Sequence, residues 1–154
     1  MSLSRRIEEY IKRLLTETGD AIELQRSHLA NTFQCVPSQI NYVLSTRFTP
    51  SQGYLVESKR GGGGYLRIIK LSWDETMASE AKQVLQNENT GLEQWEVEGM
   101  LKRLYEEARI TKREYFILKS IISRDTLQVE LPQRDILRAR IIQAALTALN
   151  RSDL

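Results

Sequence analysis

The sequence has one cysteine, one histidine and three prolines among its 154 residues. A single cysteine excludes an internal disulfide framework and a metal site built from several cysteines. A single histidine excludes zinc motifs that need a pair, and a Ser-His-Asp site would depend on His28 alone. Because no nucleophile and base stand in a recognisable pattern, we expect no enzyme activity, no cofactor and no bound metal.

Long apolar segments are also missing from the chain. No apolar run approaches the roughly 20 residues that a membrane helix requires. The basic N-terminal residues are not followed by the apolar core of a signal peptide. We therefore expect a cytoplasmic protein that does not associate with a membrane. The composition, with 41% hydrophobic and 27% charged residues, is that of a globular chain with one compact domain or two small ones.

The net charge of +2 conceals an uneven distribution of charge. Residues 1–72 carry ten basic and six acidic side chains, whereas the remaining residues carry twelve basic and fourteen acidic ones. The excess of basic over acidic residues is largest over residues 26–70, which contain six basic residues and one acidic residue, Glu57. A basic face alone does not identify a partner. The segregation nevertheless predicts two domains with different partners, at 1–72 and 73–154.

The first domain has the element order of a winged helix-turn-helix. Apolar residues at helical spacing predict a first helix that ends at Gly19, and a capping-box pattern at 20–23 predicts a further helical turn. A short helix is predicted to begin at Ser27. Pro37 suits the first turn of a third helix, which ends at Arg47.

Two β-rich runs follow the third helix and predict a hairpin, which we call the wing (residues 54–70). Four consecutive glycines, 61–64, stand between these runs. Glycine-rich segments also form phosphate-binding loops, so a nucleotide-binding enzyme that uses this segment is one alternative. The lack of a Lys-Ser or Lys-Thr pair after the glycines counts against it.

The third predicted helix has the chemistry of a DNA-reading element. Its apolar stripe leaves an opposite face of amide, hydroxyl and phenol groups, and an amide can make a two-point contact with adenine. The predicted base-reading residues are Ser38, Gln39, Asn41 and Tyr42. The residues predicted to hold the DNA backbone are Arg26, Arg47, Thr49 and Lys59, and Ser27 is also predicted to bind DNA.

The wing is predicted to enter the minor groove. Glycine lets a backbone approach the floor of the groove, and a neighbouring arginine favours the negative potential there. The residues predicted to do so are Arg60, Gly61, Gly62, Gly63 and Gly64.

The second domain is predicted to be all helical. Four periodic apolar segments predict four helices, the last of which begins near Pro132. The last two segments are apolar around more than one stripe, and a half this small cannot bury that surface internally. We therefore expect a second copy of the chain to cover it. The arginines expected at the surface or interface of the last helix are Arg134, Arg138 and Arg140.

The predicted fold class is therefore mainly α with a small β-hairpin wing. It combines an N-terminal winged helix-turn-helix with a C-terminal helical bundle that forms a homodimer. A second alternative is a protein-interaction adaptor, which presents the bundle to a protease or a kinase and has incidental DNA affinity.

Residues 26–70 resemble the CtsR family, which are repressors of class III stress genes (clp proteases and chaperones) in low-GC Gram-positive bacteria. The segments that carry the resemblance are CVPSQINYV at 35–43, TRFT at 46–49 and VESKRGGGGYLRI at 56–68. The segment LPQRDILRAR at 131–140 resembles the last helix of the family, so the match spans essentially the whole chain. The tetraglycine flanked by Lys-Arg and Tyr makes the resemblance specific.

The resemblance implies a homodimer that binds tandem direct repeats in double-stranded operator DNA upstream of heat-shock operons. It implies a glycine-rich wing that loosens its DNA contact on heating. It also implies control by a protein arginine kinase of the McsB type and turnover by Clp proteases. Arg60 matches the modified position of the family, and a phosphoarginine there would repel the DNA phosphates.

Overall fold

The computed structural model describes residues 1–58 and 64–154. Five of the residues predicted to bind DNA lie outside the described residues: Lys59, Arg60, Gly61, Gly62 and Gly63. The described chain divides into two compact units. The N-terminal unit comprises residues 1–72 with 151–154, and the C-terminal unit comprises residues 73–150.

The N-terminal unit is a helix-turn-helix with a small antiparallel sheet. Its elements are α1 (Leu3–Thr18), β1 (Ala21–Gln25), α2 (Arg26–Thr32), α3 (Pro37–Arg47), a 3-10 turn (Pro50–Gln52), β2 (Tyr54–Ser58) and β3 (Tyr65–Lys70). The strands are ordered β1-β3-β2, so that β3 pairs with both neighbours. The predicted order of three helices and a hairpin is confirmed.

The helical turn predicted at 20–23 is wrong, because this segment begins strand β1. Pairing with β3 runs from Ala21 opposite Ile69 to Gln25 opposite Tyr65. The hydrogen bonds to β3 satisfy the backbone N–H and C=O groups of this segment, as helical hydrogen bonds would have done. Pairing with a distant strand therefore overrides the local capping-box signal. The sheet therefore has three strands where the sequence predicted two.

One apolar core fixes which face of α3 points outward. The buried side chains contributed by α1 and α3 are Ile7, Ile11, Leu15, Ile40, Val43 and Leu44. They pack in one cluster with Leu66 and Ile68 of β3. Each fully buried aliphatic side chain contributes about 1.5–3 kcal/mol. Rotation of α3 about its axis would expose three such side chains, so the outward face is strongly determined.

The C-terminal unit consists of helices α4 (Glu75–Gln86), α5 (Gln94–Glu106), α6 (Lys112–Ile121) and α7 (Gln133–Leu149). The four predicted helices are confirmed. The capping box predicted at the start of α6 is present. Thr111 Oγ1 accepts from the Glu114 N–H at 3.1 Å, and the Glu114 carboxylate accepts from the Thr111 N–H at 2.7 Å. Among the described residues, no helix combines the length and apolarity that crossing a membrane would take.

Arg138 of α7 is buried within the C-terminal unit, so the prediction that it lies at the surface or at an interface is wrong. Its side chain is 1% exposed. Nε donates to the Ile122 carbonyl at 2.7 Å, and Nη1 donates to the Leu92 carbonyl at 2.9 Å and to Asp135 Oδ1 at 2.6 Å. A buried charge is tolerated when it is paired and hydrogen-bonded in this way. These hydrogen bonds hold the segments that contain Leu92 and Ile122 against α7.

The last four residues pack with the N-terminal unit, although the sequence assigned them to the C-terminal domain. Leu71 and Arg151 form an isolated antiparallel bridge next to the sheet. The Arg151 guanidinium donates to the Asp153 carboxylate through two hydrogen bonds of 2.9 Å and lies 2.7 Å from Glu57 Oε1. We call residues 151–154 the tail.

Candidate nucleic-acid interface

The outer face of α3 brings the predicted base-reading residues together. Ser38, Gln39, Asn41 and Tyr42 are all exposed, and Tyr42 is 59% exposed. The helix has 11 residues. It is therefore about 16 Å long, and an α-helix fits the major groove, which is about 12 Å wide. The helix presents donors and acceptors outward because its apolar residues are held in the core.

Gln39 has a second task in α3. Its Oε1 accepts from the backbone N–H of Val36 at 3.2 Å, which satisfies one of the free N–H groups at the start of the helix. The side-chain NH2 group is therefore the part of Gln39 that can donate to an acceptor on a base.

Arg26 connects two predicted DNA-binding positions. Its Nε donates to Oδ1 of Asn41 at 2.7 Å, and its Nη2 donates to Oγ of Ser58 at 3.0 Å. Its backbone N–H donates to the Gly64 carbonyl at 3.1 Å. Arg26 thus joins the outer face of α3 to the two described residues that border the tip of the wing.

Arg47, at the end of α3, is paired with α1. Its Nη1 lies 3.3 Å from Glu8 Oε1, and Lys12 Nζ donates to Glu8 Oε2 at 2.7 Å. The Lys12 hydrogen bond, together with the charges of Lys12, Arg47 and Arg5, holds the pKa of Glu8 below its ordinary value. An exposed ion pair contributes only about 0–1 kcal/mol. A DNA phosphate can therefore compete with Glu8 for the Arg47 guanidinium.

The remaining described candidates lie around α3. Ser27 is exposed in the first turn of α2. Thr49 is half-buried, and its Oγ1 lies 2.8 Å from the side-chain amide of Gln52. Gly64 has φ +85°, in the left-handed region that favours glycine.

Sequence reasoning missed Ser58 and Glu8, which orient the predicted residues Arg26 and Arg47. Ser58 is 32 positions from Arg26, and Glu8 is 39 positions from Arg47. Helical or strand periodicity gives no signal at such separations. Only the packing of α1, α3 and the sheet brings these side chains together.

A second candidate surface lies on the C-terminal unit. Helix α6 has no buried residue. Its Phe116 and Ile117 are 51% and 49% exposed, and Leu131 and Leu137 beyond it are 56% and 37% exposed. Large exposed apolar side chains of this kind mark surfaces that bind another protein.

Comparison with known families matches both units. A family model described as the CtsR N-terminal HTH domain matches residues 2–72. A second, described as the CtsR C-terminal dimerization domain, matches residues 78–147. The chain belongs to the CtsR family of transcriptional regulators. The resemblance drawn from the wing and from α3 is confirmed.

Curated members of the CtsR family are similar over nearly the whole chain. Transcriptional regulator CtsR of Bacillus subtilis (strain 168) is 46% identical over 149 residues, which are 96% of each chain. Transcriptional regulator CtsR of Geobacillus stearothermophilus is also 46% identical over 149 residues, which are 96% of this chain and 97% of that one. A crystal structure of CtsR in complex with a 26-bp DNA duplex is 45% identical, with a TM-score of 0.49. The match covers 97% of this chain and 99% of the chain in that crystal structure.

The names of these CtsR relatives are those of regulators, in agreement with the expectation of a protein without enzyme activity. Within residues 1–58 and 64–154, no group of three or more His, Cys, Asp or Glu side chains is placed to hold a metal ion.

Proposed function

We propose that this chain is a dimeric repressor that binds operator DNA with α3 in the major groove. The observation that carries this proposal is the outward polar face of α3. Ser38, Gln39, Asn41 and Tyr42 are exposed there on a helix whose opposite face is buried. An amide side chain recognises adenine by donating and accepting at once, so Asn41 is proposed to make this two-point contact. Gln39, whose Oε1 already accepts the Val36 N–H, is proposed to read a base through its NH2 group.

The wing is the second DNA-binding element of the proposal. Lys59, Arg60 and the glycines 61–64 would lie in or beside the minor groove, where arginine is favoured by the negative potential. A glycine-rich segment loses much conformational freedom when it is ordered on DNA. Its binding therefore weakens as temperature rises, and the repressor releases its operator on heating.

The exposed apolar face of α6 is the proposed dimer surface. A second copy would cover Phe116 and Ile117, which water otherwise surrounds. Two helix-turn-helix units held in one dimer can occupy two adjacent sites, and we propose tandem direct repeats as the operator. Residues that match the dimerization domain of the family support this assignment.

The genes and regulators are inferred from membership of the CtsR family. We propose that the protein acts in the cytoplasm on heat-shock operons that encode Clp proteases and chaperones. A McsB-type kinase would phosphorylate Arg60 and replace a positive charge by a negative one at the DNA. Clp proteases would then degrade the released repressor.

Selection of bound fragments from random double-stranded DNA tests the proposed function. We expect enrichment of one motif, repeated in direct orientation, and an affinity that falls steeply with salt concentration. Asn41→Ala should remove the preference at one base pair, whereas Asn89→Ala, which truncates an exposed asparagine of the C-terminal unit, should not. Retention of random DNA without enrichment would contradict the proposal and favour an adaptor with incidental DNA affinity.

A further inference from the structure

The side chain of Arg26 constrains the orientation of Asn41. An asparagine amide can turn by 180° and exchange its oxygen with its nitrogen. A guanidinium only donates hydrogen bonds, so it bonds to the amide when the oxygen faces it. Arg26 Nε lies 2.7 Å from Asn41 Oδ1 in this arrangement. The opposite orientation would place two donors against each other.

The guanidinium is itself held in place. Nη2 donates to Ser58 Oγ at 3.0 Å, at the end of β2. The backbone N–H donates to the Gly64 carbonyl at 3.1 Å, immediately before β3. Arg26 is therefore fixed at both ends, and the planar fork of arginine suits two partners at once.

The constraint leaves Asn41 with a defined set of free groups. A carbonyl oxygen has two acceptor positions, of which Arg26 occupies one. Among the residues that the structure describes, no hydrogen bond occupies the second acceptor position or the NH2 group of this exposed amide. These are the acceptor and the donor that the adenine N6–H and N7 edge requires.

We propose that Arg26 is a positioning residue that sets the base specificity of Asn41, beyond any contact it makes with a phosphate. The proposal rests on the proposed function, in which α3 reads bases. Arg26 holds the Asn41 amide in the orientation that matches adenine. Arg26 is itself held by hydrogen bonds to Ser58 and Gly64, the two described residues that border the tip of the wing. Base reading by α3 in the major groove thereby depends on the positions of Ser58 and Gly64.

The test is a base-preference profile measured on the full chain. Each base pair of the selected operator is changed in turn, and the Kd is measured for the wild type, Asn41→Ala, Arg26→Ala and the double variant. Asn41→Ala should flatten the preference at one position by roughly 5- to 100-fold. Arg26→Ala should flatten the same position, and the double variant should lose no more discrimination than Asn41→Ala alone.

A phosphate contact alone gives a different result. Arg26→Ala would then weaken binding to every operator by one common factor and make the salt slope shallower by about one, with the preference at the Asn41 position intact. That result would overturn the proposal. Arg13→Ala is the matched control, because it removes an exposed arginine of α1 and should leave the base preference unchanged.

A second variant keeps the test decisive if Arg26→Ala does not fold. Ser58→Ala removes one anchor of the guanidinium and should lower the preference at the Asn41 position in part. An unchanged profile in that variant would also overturn the proposal. If Asn41→Ala itself leaves the profile unchanged, then the base-reading role of α3 fails rather than the role of Arg26.

Discussion

A β-carbon on Gly91 would lie 2.6 Å from the backbone carbonyl carbon of Asp135, at the start of α7. Gly91 also has φ +88°, which L-residues with side chains rarely adopt. The neighbouring Leu92 N–H donates to the Asp135 carbonyl at 3.0 Å, so the two segments cannot move apart without loss of this bond. We predict that Gly91→Ala lowers the free energy of unfolding by at least about 2 kcal/mol, measured by urea denaturation.

Gly99 provides the matched control within the same unit. It lies inside α5, and the nearest atom to an added β-carbon is Nη1 of Arg103 at 3.6 Å, which is an ordinary van der Waals contact. Gly99→Ala should raise the free energy of unfolding by about 0.5–1 kcal/mol, because glycine is unfavourable inside a helix. Similar effects at Gly91 and Gly99 would contradict the assignment of a close contact at Gly91.

Ionisation of Asp153 is expected to stabilise the tail. Hydrogen bonds from Arg151 hold the pKa of Asp153 below its ordinary value, and Arg67, at 3.3 Å, adds to the effect. A carboxyl with a lowered pKa in the folded state stabilises the fold once ionised, above about pH 4. This stabilisation is lost as the pH falls through the folded-state pKa.

We therefore predict that Asp153→Asn is less stable than the wild type at pH 7, by about 1 kcal/mol. The difference should narrow as the pH is lowered from about 4 towards 2. Urea unfolding at a series of pH values measures it. A difference that stayed constant or grew in acid would argue against an ion pair at this position.

Charge placed on the apolar face of α6 should break the dimer. Burial of an unpaired carboxylate costs several kcal/mol. Phe116→Glu or Ile117→Glu should therefore raise the dimer dissociation constant at least about a hundredfold. Sedimentation velocity at several protein concentrations measures this change. Operator affinity should fall with it, because one unit alone loses the advantage of joint binding to two sites.

Arg113 offers a control on the same helix. It lies in the first turn of α6 and is exposed. Arg113→Glu should leave the sedimentation coefficient of the dimer unchanged. If the Phe116 and Ile117 variants also remained dimeric, the contact between copies would have to lie on another face.

Removal of the wing arginine should weaken operator binding without an effect on dimerisation. Arg60→Ala should lower operator affinity at least about tenfold and make the salt slope shallower by about one, because one cation is lost from the DNA surface. A gel shift at several salt concentrations gives both quantities. Arg113→Ala, in the C-terminal unit, is the control that keeps both values. Wild-type affinity in the Arg60 variant would remove the wing from the proposed interface.

Local sequence signals predicted α3 well and β1 poorly, for a physical reason. The bounds of α3 follow from its apolar spacing and from Pro37, which are properties of the segment itself. β1 forms because β3 lies beside it, and the paired residues are 40 to 48 positions apart in the chain. The capping-box pattern at 20–23 gives no indication of that distant partner. The burial of Arg138 likewise depends on carbonyls from two other segments.

The candidate site divides in the same way. The residue types on the outer face of α3 were evident from periodicity, because one buried stripe defines the opposite face. The link from Arg26 to Asn41 and Ser58 could not be predicted, since it arises where α2, α3 and β2 meet. Sequence patterns thus named the chemical groups, and folding determined which of them touch.

The chain leaves and re-enters the N-terminal unit at neighbouring points. The hydroxyls of Ser72 and Ser152 lie 2.7 Å apart, and the Ser152 N–H donates to the Lys70 carbonyl at 3.0 Å. The C-terminal unit is thus inserted into the N-terminal one, as a guest domain within a host. A short glycine linker from Ser72 to Arg151 could replace the C-terminal unit. The resulting chain would be a single DNA-binding unit, and its affinity for one of the proposed operator repeats could be measured alone.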